Sequence, residues 1–134
     1  MSKLGCVCGH TIADTSDNIS YKAVFYRDQD LNTLSDEYAS DIDSFIEAIK
    51  NNRREDWIRA YFSDRYPVDL LNSSIIVDII SKCARPFESD IYQCEHCGRI
   101  KIQVQDKNRF TSFLPEDDHH RDIFKSFRKA GDAT

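Results

Sequence analysis

The chain has little of what marks many functional classes. Four glycines and three prolines occur in 134 residues, so low-complexity segments are absent. No Gly-rich phosphate loop, nucleophile elbow or H-E-x-x-H motif is present, and no Ser/His/Asp or Cys/His set can be assembled from the sequence. No apolar run approaches the roughly 18 residues that span a bilayer. Met1-Ser2-Lys3-Leu4-Gly5 lacks the hydrophobic core of a signal peptide, so the expected location is the cytoplasm. Positive charge is also short. Eighteen Lys and Arg face 23 Asp and Glu, a formal net charge of −5. That balance argues against a nucleic-acid binder that depends on phosphate contacts and fits a basic partner.

What is present is a patterned set of cysteines. Four of the five lie in two short clusters, Cys6-Val7-Cys8-Gly9 and Cys94-Glu95-His96-Cys97-Gly98. Each cluster offers two thiolates from a tight turn. The glycine after the second cysteine permits a positive φ, which lets backbone N–H groups turn toward sulfur. In a reducing compartment, paired cysteines point to metal more than to disulfides. A zinc ion on Cys6, Cys8, Cys94 and Cys97 would clip the start of the chain to a distant segment. Closing a loop of roughly ninety residues costs roughly 4 kcal/mol of chain entropy. An apparent zinc-binding free energy of roughly 10–16 kcal/mol offsets it.

The first cluster raises a difficulty. Residues two apart on a regular strand point to opposite faces, so Cys6 and Cys8 share one metal only if the backbone bends between them. His10 is the alternative ligand in place of Cys6 or Cys8. Four thiolates would fill a tetrahedral shell and leave no position for water, so the metal is read as structural. A deaminase-type site would need an H-x-E motif, and none occurs.

Between the clusters the pattern changes. His10–Ala13 and Tyr21–Tyr26 read as strands. A helix is expected from Thr33 or Ser35, either serving as its cap, to Asn51-Asn52, with Tyr38, Ile42, Phe45, Ile46 and Ile49 on one face. A second is expected over about Glu55–Arg65 on Trp57, Ile58, Tyr61 and Phe62, ended by Pro67. A third follows Asn72 or Ser73, with Ile75, Ile76, Ile79, Ile80 and Cys83 as its stripe and Pro86 at its exit. Strands return at Ile91–Cys94, Arg99–Val104 and Arg109–Leu114. Arg99–Val104 alternates strictly. Ile123, Phe124 and Phe127 recur at helical spacing near the end.

The expected fold is α+β, with zinc-ribbon-like hairpins and an antiparallel sheet interrupted by a three-helix insertion. No linker splits the chain, so it reads as a single domain over residues 1–134. Its parts are a β-element at 1–30, a helical middle at 31–86, a knuckle hairpin at 90–115, and a tail or short helix at 116–134.

The paired Cys-Gly turns and the hairpin after the second resemble a zinc ribbon. The resemblance covers roughly the first fifteen residues and Cys94–Leu114. Cys94, Cys97 and Gly98 match its usual knuckle closely, while the single residue between Cys6 and Cys8 departs from it. It implies four cysteine ligands for one zinc.

Other residues invite weaker readings. His119 and His120, beside Asp117 and Asp118, form either a second metal or acid–base site or a solvated loop. Cys83 reads as a small buried hydrophobe. Arg53, Arg54 and Arg65 read as stems covering core edges. Asp36, Glu37, Asp41, Asp43 and Glu47 load the first helix with negative charge. The ordinary account is a solvated face; the sharper one is a docking surface for a basic protein. In overall character the chain resembles small acidic bacterial proteins with a C-x-C-G start and a late C-x-x-C-G hairpin, some of which act as immunity proteins. That resemblance implies a non-catalytic partner of a basic toxin domain. The alternatives are a nucleic-acid-associated ribbon using Lys101, Lys107, Arg109, Phe110 and Phe113, and a metal-dependent enzyme.

Overall fold

The computed structural model describes residues 2–104, 108–117 and 121–128. It is a mixed α+β structure with two antiparallel sheets and three α-helices. The chain divides into two compact units. Met1–Phe25 joins Ser89–Thr134 in one, and Tyr26–Glu88 forms the other.

The first unit carries the strands. β1 (Ser2–Gly5) pairs with β2 (Thr11–Asp14), with Gly5 opposite Thr11. β3 (Lys22–Phe25), β4 (Ser89–Gln93), β5 (Ile100–Gln103) and β6 (Phe110–Phe113) form a second sheet in that order. β1 has no β-branched residue, so its extended form comes from pairing with β2 rather than from local preference. The buried cluster of this unit is small: Cys6, Ile12, Tyr92 and Cys94, with Leu4, Tyr21 and Phe110 packed on it.

Register explains an inversion on β5. Lys22, Tyr92, Lys101 and Ser112 align across the four strands, so they share one face. Tyr92 donates to the Asp14 carboxylate of β2, which ties that face to the hairpin. Lys101, not one of its isoleucine neighbours, is therefore the buried side chain on β5, at 4 % exposure. Its ammonium donates to Ser112 Oγ at 2.7 Å.

The second unit carries the helices: α1 (Leu31–Lys50), α2 (Arg54–Tyr61) and α3 (Asn72–Ala84). Their interior is apolar, built on Phe45, Ile58, Ile75 and Ile79, with Leu34, Cys83 and Ala84. α1 begins at Leu31 rather than at a Thr33 or Ser35 cap, because a 3-10 turn over Asp28–Asp30 runs straight into it. Asn52 stops it in the left-handed region at φ 58°, and the Arg53 N–H closes on the Ala48 carbonyl at 2.8 Å.

α2 ends at Tyr61, four residues before the expected Arg65, so Pro67 is not what ends it. Arg54 organises the loop that follows. Its guanidinium donates to the Val68 and Leu70 carbonyls at 2.5 Å each and its Nε to Asn72 Oδ1 at 2.8 Å. The apolar stripes are wider than the core that receives them: Ile46 and Ile80 stay 39 % exposed. The helical spacing of Ile123, Phe124 and Phe127 forms no helix, since Asp122 takes φ 58° and residues 121–128 run as turns and bends. No helix among the described residues is long and apolar enough to cross a membrane.

Candidate metal centre

The two cysteine clusters form the tips of two hairpins within the strand-bearing unit. The turn after Cys6 separates β1 from β2. Cys6 N–H donates to the His10 carbonyl at 3.0 Å, and Gly9 N–H donates back to the Cys6 carbonyl at 2.9 Å. Gly9 sits at φ 97°. This is the bend that the C-x-C spacing requires, and it lets Cys6 and Cys8 point to one place. The turn between β4 and β5 repeats the scheme. Cys94 N–H donates to the Arg99 carbonyl at 2.8 Å, Gly98 N–H to the Cys94 carbonyl at 2.9 Å, and Gly98 takes φ 83°.

These turns bring four thiols together. The Sγ atoms of Cys6, Cys8, Cys94 and Cys97 all lie within 4.8 Å of one another. Two approaches cross between the turns: Cys6 to Cys97 at 3.6 Å and Cys8 to Cys94 at 3.7 Å. A tetrahedron with zinc–sulfur bonds of ~2.3 Å has edges of ~3.8 Å. A disulfide would need ~2.05 Å. The spacing thus suits four sulfurs around one ion rather than two bridges. Cys94 is fully buried and Cys6 nearly so, while Cys8 and Cys97 are half-buried.

The surroundings prepare the thiols unequally. Burial pushes Cys94 up to about 11, against the opposing pull of the Cys97 and His96 backbone N–H groups. Burial also pushes Cys97 up, but hydrogen bonds from the Arg99 backbone and guanidinium, with Cys6 and Cys94 beside it, outweigh it and bring the thiol down to about 6. Arg99 Nη1 donates to Cys97 Sγ at 3.3 Å. Cys6 is lowered too, burial being outweighed chiefly by the Cys8 backbone N–H. A metal takes the thiolate form, so it binds by displacing these protons.

Several contacts hold the second turn. Gln93, 3 % exposed, donates to the Gly98 carbonyl at 3.3 Å and accepts from Ile123 N–H at 3.3 Å. Arg121 donates to the His96 carbonyl at 2.9 Å. His10 does not join the thiol group. Its Nε2 meets Glu95 Oε1 at 3.1 Å, and its ring lies 6.3 Å from that of His96. The roles of Arg99 and Gln93 escape sequence reading. A basic residue directly after the knuckle glycine was the one available signal.

The acidic residues of α1 divide. Asp36, Glu37, Asp43 and Glu47 are exposed. Asp41 turns inward, accepting from Tyr61 OH at 2.6 Å and from Cys83 Sγ at 3.2 Å. Burial and the Asp41 carboxylate raise the Cys83 thiol, which suits a small core residue rather than a nucleophile. His119 and His120 lie outside the described residues, as do Lys107 and Asp118.

No curated protein and no solved structure matches the chain. A family model does match, over residues 2–117, a span that contains both cysteine turns and all three helices. The chain belongs to that family, described as a domain of unknown function, DUF8617.

Proposed function

We propose that this chain is a non-catalytic protein-binding module, held by a structural zinc ion on Cys6, Cys8, Cys94 and Cys97, that docks a basic protein. Neutralising a basic toxin domain, as an immunity protein does, is the form of that role we favour. Four sulfurs within 4.8 Å of one another support a filled metal shell, with no place for a reacting water. The observation that carries the partner reading is the solvent face of α1. Asp36, Asp43 and Glu47 recur at i, i+7 and i+11, which puts them on one exposed ridge. The ridge runs for ~16 Å at 1.5 Å per residue. Such a ridge speeds association with a positive surface and sets its register. The nucleic-acid alternative is less well supported, because Lys101 is buried on Ser112 and Phe110 packs into the thiol-bearing cluster.

The test is capture by the tagged, metal-loaded chain from its native cells at moderate salt, with bound protein and nucleic acid both identified. One basic protein in stoichiometric amount is expected. High salt should weaken it, and so should reversing the charges at Asp36, Asp43 and Glu47. Co-expression with the captured protein should then restore growth of cells that it poisons. Recovery of nucleic acid or polymerase would overturn the reading.

A further inference from the structure

A second feature of the helical unit lies where the acidic ridge ends. A groove of about 540 Å³ opens between the C-terminal half of α1 and α2. Its lining has two chemistries. Ala48, Ala60 and part of Trp57 supply hydrocarbon, while Glu47 and Asp56 supply carboxylates. The Trp57 indole N–H is already taken by Ser44 Oγ at 2.8 Å, and Tyr61 stacks on the ring at 4.5 Å. What Trp57 offers the groove is therefore apolar surface rather than a donor. Glu47 belongs both to this lining and to the ridge from Asp36.

We infer that this groove receives an arginine side chain presented by the basic partner. Arginine has the matching division, an apolar stem and a charged planar head. The stem would lie along Trp57, Ala48 and Ala60, and the head would reach Glu47 and Asp56. Two carboxylates set against one cation, Arg53, leave the lining net negative. Arg53 lines the same groove and repels a second cation, so its removal should favour the incoming guanidinium. A lysine would reach them only as a point charge, without the planar fork that two carboxylates can share. The inference rests on the basic-partner reading and adds to it the side chain that anchors the complex.

Trp57 is the chain's single tryptophan, so indole emission comes from one residue of this groove. The experiment titrates the metal-loaded full chain with N-acetylarginine amide and, separately, with the uncharged isostere N-acetylcitrulline amide. Trp57 emission and the amide shifts of Ala48, Trp57 and Ala60 are followed. Saturable binding of the arginine compound is expected, with citrulline at least about tenfold weaker because it cannot pair with carboxylates. The Glu47→Gln, Asp56→Asn double variant should lose about tenfold, and Arg53→Ala should gain about twofold. Failure to saturate, equal binding of citrulline, or shifts no larger in the groove than along Asp36 and Asp43 would overturn the inference. Should the double variant not fold, the arginine–citrulline comparison on the unaltered chain decides. Partner capture that survives the double variant would remove the groove and keep the basic-partner reading. Arginine binding by a chain that captures no basic protein would do the reverse.

Discussion

The fully buried large side chains of the helical unit are Phe45, Ile58, Ile75 and Ile79; among the described residues of the strand-bearing unit they are Ile12 and Cys94. The first set is hydrocarbon contributed by three helices, and burying each such side chain is worth roughly 1.5–3 kcal/mol. The second set has one hydrocarbon and one thiol. Around it the buried side chains turn polar, with Ser89, Gln93 and Lys101. An amphipathic helix finds its core by laying one stripe on another. Short hairpins with one or two apolar side chains each have no such stripe, and small units of this kind usually need a staple. Here the sulfurs that fill the core are also the atoms placed to hold the staple.

Removing the metal should separate the two units most sharply. Chelation, or Cys94→Ser, is expected to erase the signals of strands β1 to β6 while much of the 222 nm helical ellipticity remains. One zinc per untreated chain is expected by elemental analysis. An unchanged melting temperature in Cys94→Ser would end the structural-metal reading. The converse cut comes next. Ile79→Ala should cost about 2–5 kcal/mol in the helical unit with zinc stoichiometry unchanged, read by denaturant melts with metal analysis.

A smaller effect is expected at the turns. Gly98→Ala places a Cβ at φ 83° and 3.4 Å from the Arg121 guanidinium; Gly9→Ala meets nothing within 4 Å at φ 97°. Each should cost about 1–2 kcal/mol of backbone strain. Release of zinc to a chelator should be faster in both, and more so in Gly98→Ala, whose Cβ crowds Arg121 and Pro115 as well.

The smallest effect is in pH. Burial and the Asp78 carboxylate, to which Tyr66 donates, hold Tyr66 up at about 12, against an ordinary value of 10.0. A raised folded value stabilises fully below pH 10 and loses that contribution between 10 and 12. Alkaline melting of the helical unit should steepen across that window, and Tyr66→Phe should make it shallower, with Tyr26, held up at about 12 by its hydrogen bond to Glu88, carrying part of the rest. Acid should reach the other unit first, since protons compete with metal for thiolates.

The helices were the most legible part. Their period is local, and Phe45, Ile58, Ile75 and Ile79 all occupy the expected stripes. What the period does not encode is how wide the receiving core is, which is why Ile46 and Ile80 remain exposed. Nor does it mark the start of α1, where the 3-10 turn replaces a cap. The thiols were legible because spacing and glycine placement carry metal chemistry directly. The burial of Lys101 was not, because it follows from the register of four strands, and register depends on partners distant in sequence. The same holds for Asp41, which its sequence neighbours mark as surface charge but which in the fold accepts from Tyr61 and Cys83.

The helical unit is one unbroken stretch, Tyr26–Glu88, and all of it precedes Cys94. At ~5–20 residues per second of synthesis, a ribosome takes roughly 4–17 s to travel from Cys8 to Cys94. For that interval the first two thiols wait without their counterparts, while the helices are being made up to Ala84, ten residues before Cys94. A metal held by all four thiols could therefore close only after every residue of the helical unit had been made.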